Sequence, residues 1–228
     1  MYERYAVYFT PQADHSLAAF GAAWLGWDVR TGQPVDHQVV HGLPLSVQEI
    51  TATPRKYGLH GTLKAPFFLH SDFSFGDLLQ GVRAYAQAQE PVEIGPLHLQ
   101  SIGSFLALTP TTPNPEFAEL VADCVMALDR FRAPMSTQEL QRRRASNLSP
   151  RQDELLRHWG YPYVFDEFRF HVTLTGRLSE LQQVKTREVL DVLLENHLRA
   201  PFELTELVLC GQMENGCFKV IERAPLGG

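Results

Sequence analysis

A four-residue string, His-x-Thr-Leu, occurs twice in the chain, at residues 60–63 and 171–174. Side chains two apart on a β-strand share a face, so each copy would present an imidazole beside a hydroxyl. Histidine titrates near neutral pH, so one imidazole can begin as a neutral base and the other as a protonated acid. The hydroxyls of Thr62 and Thr173 could bind phosphoryl oxygens. With His60 and His171 in either role, these groups predict acid–base cleavage of a phosphoester.

Strand alternation adds two cations to these pairs. Lys64 lies two residues beyond the first threonine, and Arg169 lies two residues before the second histidine. Each is therefore expected on the face of its own pair, where Arg could hold a phosphate by a bidentate fork and Lys as a point charge. The alternative for both is a strand end in solvent. Tyr57 and Thr175 are further substrate-binding candidates, although packing and a sheet edge explain them more simply.

Composition and cap signals predict alternating strands and helices. Strands are predicted at residues 4–9, 57–69, 92–100, 104–108, 168–175 (with the motif segment reaching 178), 202–212 and 217–222, and helices after Asp14, Ser74, Asn114, Ser149 and Ser179. In the last helix, Val189, Val192 and Leu193 have the i, i+3, i+4 spacing of a buried face. Residues 29–57 and 132–148 are predicted as mostly irregular, and a role as lids stays open for both. The Arg142–Arg144 run is interpreted as a solvated face, with a basic lid as the alternative.

The order of motif strand, helix and strand pair recurs at nearly constant spacing. The two motif histidines are 111 residues apart (171 − 60), and PVEI at 91–94 precedes PFEL at 201–204 by 110 (201 − 91). Alternating strands and helices predict an α/β or α+β fold, as one large domain or two small lobes, and the repeat predicts two similar units that pack about a pseudo-two-fold axis. Both histidine–threonine pairs would then share a central cleft. The alternative, two core histidines bonded to nearby threonines, suits a single copy better than two equivalent ones.

Longer stretches surround the motifs: RKYGLHGTLKAPF at 55–67, WGYPYV at 159–164 and FRFHVTLTGRL at 168–178. Here the chain resembles the two-histidine (2H) phosphoesterase superfamily, which includes RNA 2′,3′-cyclic phosphodiesterase and 2′-5′ RNA ligase-like proteins. It is most similar to a bacterial branch of unknown function that is often encoded beside phosphonate-degradation genes. The resemblance implies one bilobal α+β (α/β-like) domain over residues 1–228, with two antiparallel sheets and flanking helices around a central cleft. It also implies a hydrolase that needs no metal or other cofactor and cleaves a cyclic phosphodiester of a nucleotide, an RNA end or a ribose.

The overall composition narrows the partners that we expect. The 228 residues are 44% hydrophobic and carry a formal net charge of −6, which disfavours non-specific nucleic-acid binding but allows a basic pocket for a small anionic phosphoester. No apolar run approaches the roughly 20 residues of a membrane span, and the first residues lack a signal-peptide pattern. A cytoplasmic protein with free thiols at Cys124, Cys210 and Cys217 is therefore expected. The oligomeric state cannot be predicted.

Two other classes of function stay open. A non-catalytic protein could bind nucleotide or RNA ends in the same cleft. A zinc-dependent hydrolase could use other histidines, but only His37 and His41 stand four apart, in a segment predicted as loop, so no metal site is predicted. The sequence contains neither a glycine-rich phosphate loop nor a Gly-x-Ser-x-Gly elbow.

Overall fold

Helices and strands alternate along the chain in a computed structural model that describes residues 2–227. The first half holds β1 (Tyr5–Phe9), α1 (Ser16–Leu25), β2 (Trp27–Asp28), β3 (Gln33–Pro34), α2 (Val47–Ile50), β4 (Gly61–Phe67), α3 (Phe75–Gln87), β5 (Val92–Gly95) and β6 (Leu97–Ile102). The second half holds β7 (Phe105–Pro110), α4 (Pro115–Ala127), α5 (Thr137–Arg144), α6 (Pro150–Trp159), β8 (Val172–Thr173), α7 (Glu180–Leu194), β9 (Phe202–Leu204), β10 (Glu206–Gln212) and β11 (Phe218–Pro225). This content confirms the predicted α+β class.

Seven strands form one sheet in the order β11-β10-β1-β4-β8-β7-β6, and every neighbouring pair is antiparallel. Its two halves meet between β4 and β8, where Gly61 opposite Val172 is the single register pair. The two predicted antiparallel sheets are thus joined edge to edge at the motif strands. The contact is short because β8 has only two residues.

The sheet order is compatible with the predicted repeat. If β1, β4 and β6 correspond to β7, β8 and β10, then the order of the six strands from β10 to β6 is palindromic about the junction between β4 and β8, and β11 extends one edge. Each unit gives its last strand to the other half, and β5 pairs with its counterpart β9. The duplication and the single bilobal domain stay predictions.

The main core lies on one face of the sheet, beneath α1, α3, α4 and α7. Alternation along β1 separates the two faces: Tyr5, Val7 and Phe9 belong to this core, whereas Ala6 and Tyr8 belong to a smaller cluster with Trp27, Val29 and Phe218. No helix among residues 2–227 is long and apolar enough to cross a bilayer.

The predicted buried face of α7 is only partly correct, because Leu193 packs against the core and Val192 does not. Thr186, Leu190 and Leu194 are its buried residues, at i, i+4, i+8 spacing, whereas the side chain of Val192 is 72% exposed. Apolar residues surround the end of this helix, so spacing alone could not select the face. The predicted motif strand at 168–175 is also shorter than expected. A 3-10 turn at Phe165–Glu167, whose first residue has a positive φ, precedes it and delays regular pairing until β8.

Candidate active site

The junction between β4 and β8 positions the two His-x-Thr pairs. Gly61 and Val172 face each other in antiparallel register, and one further residue on each side places His60 opposite Thr173 and His171 opposite Thr62. Alternation puts these four side chains on the face opposite to that of the central Gly–Val pair. Directly opposed Cβ atoms in such a ladder are about 4.5–5.5 Å apart, and diagonal neighbours are about 7–8 Å apart. The two imidazoles are therefore diagonal neighbours in one quartet.

Each imidazole is held by a hydrogen bond to the backbone carbonyl two residues before it in the chain. The Nδ1 atom of His60 lies 3.0 Å from the carbonyl oxygen of Gly58, and that of His171 lies 2.8 Å from the carbonyl oxygen of Arg169. A carbonyl oxygen only accepts, so each Nδ1 carries the hydrogen and donates it. Each Nε2 is left for chemistry, as an acceptor in the neutral ring and as a donor in the protonated ring.

Aromatic packing gives His60 its electrostatic character. Its ring centroid lies 4.1 Å from that of Tyr8 and 5.5 Å from that of Tyr57, on the 3-10 turn Arg55–Tyr57. Burial lowers the pKa of His60 from 6.5 to about 4; the bond to the Gly58 carbonyl opposes this shift, and the nearby charge of His171 adds to it. At neutral pH His60 is therefore uncharged, which is the state of a general base.

An open cavity of about 360 Å³ lies against this quartet. Five of the eight predicted site residues line it, namely Tyr57, His60, Thr62, Thr173 and Thr175, whereas His171 is not among the lining residues. The ring of His171 lies 6.0 Å from that of Phe105, another lining residue. Thr175 is buried and has a structural role as well, since its hydroxyl oxygen accepts from the backbone N–H of Leu106 at 2.9 Å.

Lys64 lies elsewhere, contrary to the prediction from alternation. On β1, Tyr8 is opposite Thr62 but the preceding residue, Val7, is opposite Lys64 rather than Leu63, so β4 contains a bulge between Thr62 and Lys64. A bulge interrupts the two-residue period and turns the lysine to the helix-covered face. There it is 3% exposed, with its Nζ 3.1 Å from the carbonyl oxygen of Val125 and 3.0 Å from a carboxylate oxygen of Asp129.

Arg169 also lies outside the residues that line the cavity. Its exposed guanidinium donates to the carbonyl oxygens of Asp166 at 3.1 Å and Phe168 at 2.7 Å, so it closes the turn before β8. Alternation failed because this residue precedes the regular strand. Its backbone carbonyl, rather than its charge, serves the site by holding His171.

Three arginines that were not predicted as site residues do line the cavity: Arg4, Arg143 and Arg177. Tyr8 and Tyr161 line it as well. Alternation along β1 could have indicated Arg4 and Tyr8, since they share a face and Tyr8 is in register with Thr62. Arg143 belongs to the Arg142–Arg144 run on α5, of which it alone lines the cavity. Within residues 2–227, no three His, Cys, Asp or Glu side chains cluster in a way that could hold a metal ion.

Residues 62–219 match the family described as "Protein of unknown function (DUF1045)". Two curated relatives are both called ribose 1,5-bisphosphate phosphokinase PhnN. The protein from Janthinobacterium sp. (strain Marseille) is 41% identical over 176 residues, which cover 77% of this chain and 39% of the relative. The protein from Laribacter hongkongensis (strain HLHK9) is 34% identical over 180 residues, which cover 78% and 41%. The chain thus spans about two fifths of the length of these relatives.

Two solved structures are similar over the full length of both chains, each at 12% sequence identity. One is a crystal structure of a phosphoesterase, with a TM-score of 0.44, and the other is that of E. coli LigT complexed with NADP+, with a TM-score of 0.40. The family match agrees with the resemblance to a branch of unknown function, and it covers more than half of the sequence. The chain therefore belongs to the DUF1045 family.

Proposed function

We propose that the protein is a phosphoesterase that hydrolyses a cyclic phosphodiester, with His60 as general base and His171 as general acid. One observation carries the proposal. Two diagonal imidazoles each donate Nδ1–H to a backbone carbonyl, which leaves two Nε2 atoms for one substrate. The roles follow from the lowered pKa of His60, because a base must begin without its proton.

The reaction needs two proton transfers about one phosphorus atom. A water oxygen attacks the phosphorus while Nε2 of His60 takes the water proton. The bond from phosphorus to one ring oxygen breaks, and that oxygen receives the proton from Nε2 of His171. The products are a phosphate monoester and a free hydroxyl on the same molecule. The proton gained by His60 and the one lost by His171 then exchange with solvent, which restores the starting state.

Neutral and charged donors can stabilise the phosphoryl oxygens during this step. The hydroxyls of Thr62 and Thr173 flank the opposing imidazoles in the quartet, where charge on the non-bridging oxygens grows. None of the described residues that line the cavity carries a carboxylate. An anionic substrate therefore meets only neutral and basic side chains there.

Ribose cyclic phosphates come first among the candidate substrates, ahead of cyclic nucleotides and RNA ends. The two curated relatives are named for ribose 1,5-bisphosphate. Hydrolysis of a cyclic phosphodiester on a phosphorylated ribose would leave a ribose with two phosphate monoesters, which is the same class of compound. We do not extend the kinase activity in the relatives' name to this chain, because it lacks the Gly-x-x-x-x-Gly-Lys-Ser/Thr phosphate loop.

The test is hydrolysis of ribose 1,2-cyclic phosphates, nucleoside 2′,3′-cyclic phosphates and RNA ends, with and without EDTA. We expect EDTA-resistant turnover of at least one compound and a loss of roughly 10²–10⁴ in kcat for His60→Ala and for His171→Ala. His98→Ala, at an exposed position of β6, is the matched control and should retain full activity. Full activity of both motif variants would contradict the proposal, and tight product binding without turnover would favour a non-catalytic binder.

A further inference from the structure

The cavity holds more positive charge than one phosphodiester requires. A phosphodiester carries a single negative charge, but three arginines line the cavity of a protein whose net charge is −6. Two of them, Arg4 and Arg143, connect through a group of tyrosines. Arg143 lies 5.9 Å from the ring centroid of Tyr161, and both Arg4 and Tyr161 are close enough to influence the pKa of Tyr8.

Protein contacts already orient both guanidinium groups. The Nε atom of Arg4 donates to the side-chain oxygen of Gln212 at 2.7 Å, and Arg143 donates to the Glu139 carboxylate at 3.2 Å. Glu139 neutralises part of the charge of Arg143, but it is not among the residues that line the cavity. Both arginines therefore have fixed stems and further N–H groups to offer, since a guanidinium carries five.

Tyr8 supplies a second and independent indication of a ligand. Its side chain is fully buried and lines the cavity, yet its hydroxyl has no hydrogen-bond partner among residues 2–227. Buried hydroxyls are nearly always paired, because an unpaired one loses its hydration without compensation. Burial also raises its pKa, so the phenol stays a neutral donor. A bound anion at this place would satisfy it.

We propose that the cavity binds a second anionic group of the substrate, a phosphate monoester, at Arg4, Arg143 and the hydroxyl of Tyr8. This rests on the proposed function, in which the scissile phosphodiester lies at the histidine pair. The substrate class becomes a cyclic phosphodiester that also carries a terminal phosphate, as in a 5-phosphorylated ribose or nucleotide. Such a substrate would bind in one orientation, with the terminal phosphate at the arginines and the ring at the imidazoles.

The test compares two product-like ligands that differ by one phosphate, adenosine 2′-monophosphate and adenosine 2′,5′-bisphosphate. Their Kd values would be measured by calorimetry on the full chain at constant ionic strength. We expect the bisphosphate to bind at least about tenfold more tightly. Arg143→Gln and Arg4→Gln should bring this ratio close to one, and Tyr8→Phe should weaken binding of the bisphosphate. Arg142→Gln is the control on the same helix, since its side chain is 72% exposed and outside the cavity, and should keep the wild-type ratio.

Equal affinity of the wild-type protein for the two ligands would overturn the second subsite and leave the histidine site intact. Failure to bind either ligand, together with no turnover of any compound in the cyclic phosphate panel, would overturn both proposals. Turnover gives an independent reading: adenosine 2′,3′-cyclic phosphate with a 5′-phosphate should show a higher kcat/KM than the same compound without it, and Arg143→Gln should abolish the difference. Thermal melting of each variant shows whether it is folded, and a folded Arg143→Gln with the wild-type ratio would refute the role of that arginine.

Discussion

The folded protein should lose stability in mild acid, because His60 takes up a proton more readily in the unfolded chain. The pKa is about 4 in the folded state and 6.5 ordinarily, so between these values the unfolded chain binds a proton that the folded chain does not. The contribution to stability is therefore complete above about pH 6.5 and falls as the pH drops towards 4. A shift of about 2.5 units at 1.36 kcal/mol each sets a ceiling of about 3.4 kcal/mol below pH 4.

Between pH 7.5 and pH 5.0 the same linkage gives a loss of about 2 kcal/mol at most. His60 is partly accessible to solvent, which screens the effect. We therefore expect the free energy of unfolding to fall by about 1 kcal/mol between these two pH values. Urea unfolding at both pH values gives the change in unfolding free energy for the wild-type protein and for His60→Asn. The difference between these two changes is the contribution of His60. His98→Asn controls for the loss of an exposed strand histidine.

If wild type and His60→Asn lose equal stability between the two pH values, His60 is not held neutral, and its assignment as the base loses its foundation. Catalysis provides a second reading of the same group. Because the base must be unprotonated, the acidic limb of the kcat/KM profile should fall with an apparent pKa near 4. An acidic limb near 6.5 would contradict the reasoning in the same way.

Three other substitutions test the positions around the motifs. Gly58→Ala should lower the free energy of unfolding by about 1–3 kcal/mol, because φ +67°, ψ −177° is almost exclusive to glycine. It should also reduce kcat, because the Gly58 carbonyl orients His60. An unchanged kcat would refute this positioning role. Gly61→Ala would bring the new Cβ within 2.3 Å of the ring of Phe170, and we expect this clash to lower the free energy of unfolding by about 1–3 kcal/mol. Adding Phe170→Leu should recover part of this loss in urea unfolding. The absence of any recovery would contradict the clash. Lys64→Met should lower stability by about 1–3 kcal/mol with KM unchanged, and a raised KM would restore the lysine to the substrate site.

The histidine and threonine pairs could be predicted because they depend on a period of two over three residues. The single Gly61–Val172 register pair is enough to bring them together, and it required only that the two motif strands be neighbours. Their catalytic role stays a prediction. The order of the strands in the sheet was not predicted, because the sequence pattern does not show which strand edges of the two halves pair.

The cations could not be predicted for two different physical reasons. Lys64 follows a bulge, and a bulge depends on how β4 pairs with β1, which the local sequence does not encode. Arg169 precedes the regular strand, where alternation carries no meaning. The arginines that do line the cavity lie just before β1, on α5 and in the segment after β8, so only the tertiary fold brings them together. Tyr8 required the register as well, because its missing hydrogen bond becomes visible only when its surroundings are known.

The recurring motif holds the two imidazoles in the same way, whereas the side chains packed around them are different. Each ring is held by the carbonyl two residues before it, so the duplicated motif supplies two equivalent Nε2 atoms. Acid–base catalysis needs one of them protonated and the other not, and identical surroundings would give one pKa to both. Outside the motifs, Tyr8 and Tyr57 pack on His60, and burial lowers the pKa of this imidazole. Substitutions at these tyrosines should therefore shift the acidic limb of the rate profile upward, whereas changes beside His171, at Phe105, should leave that limb in place.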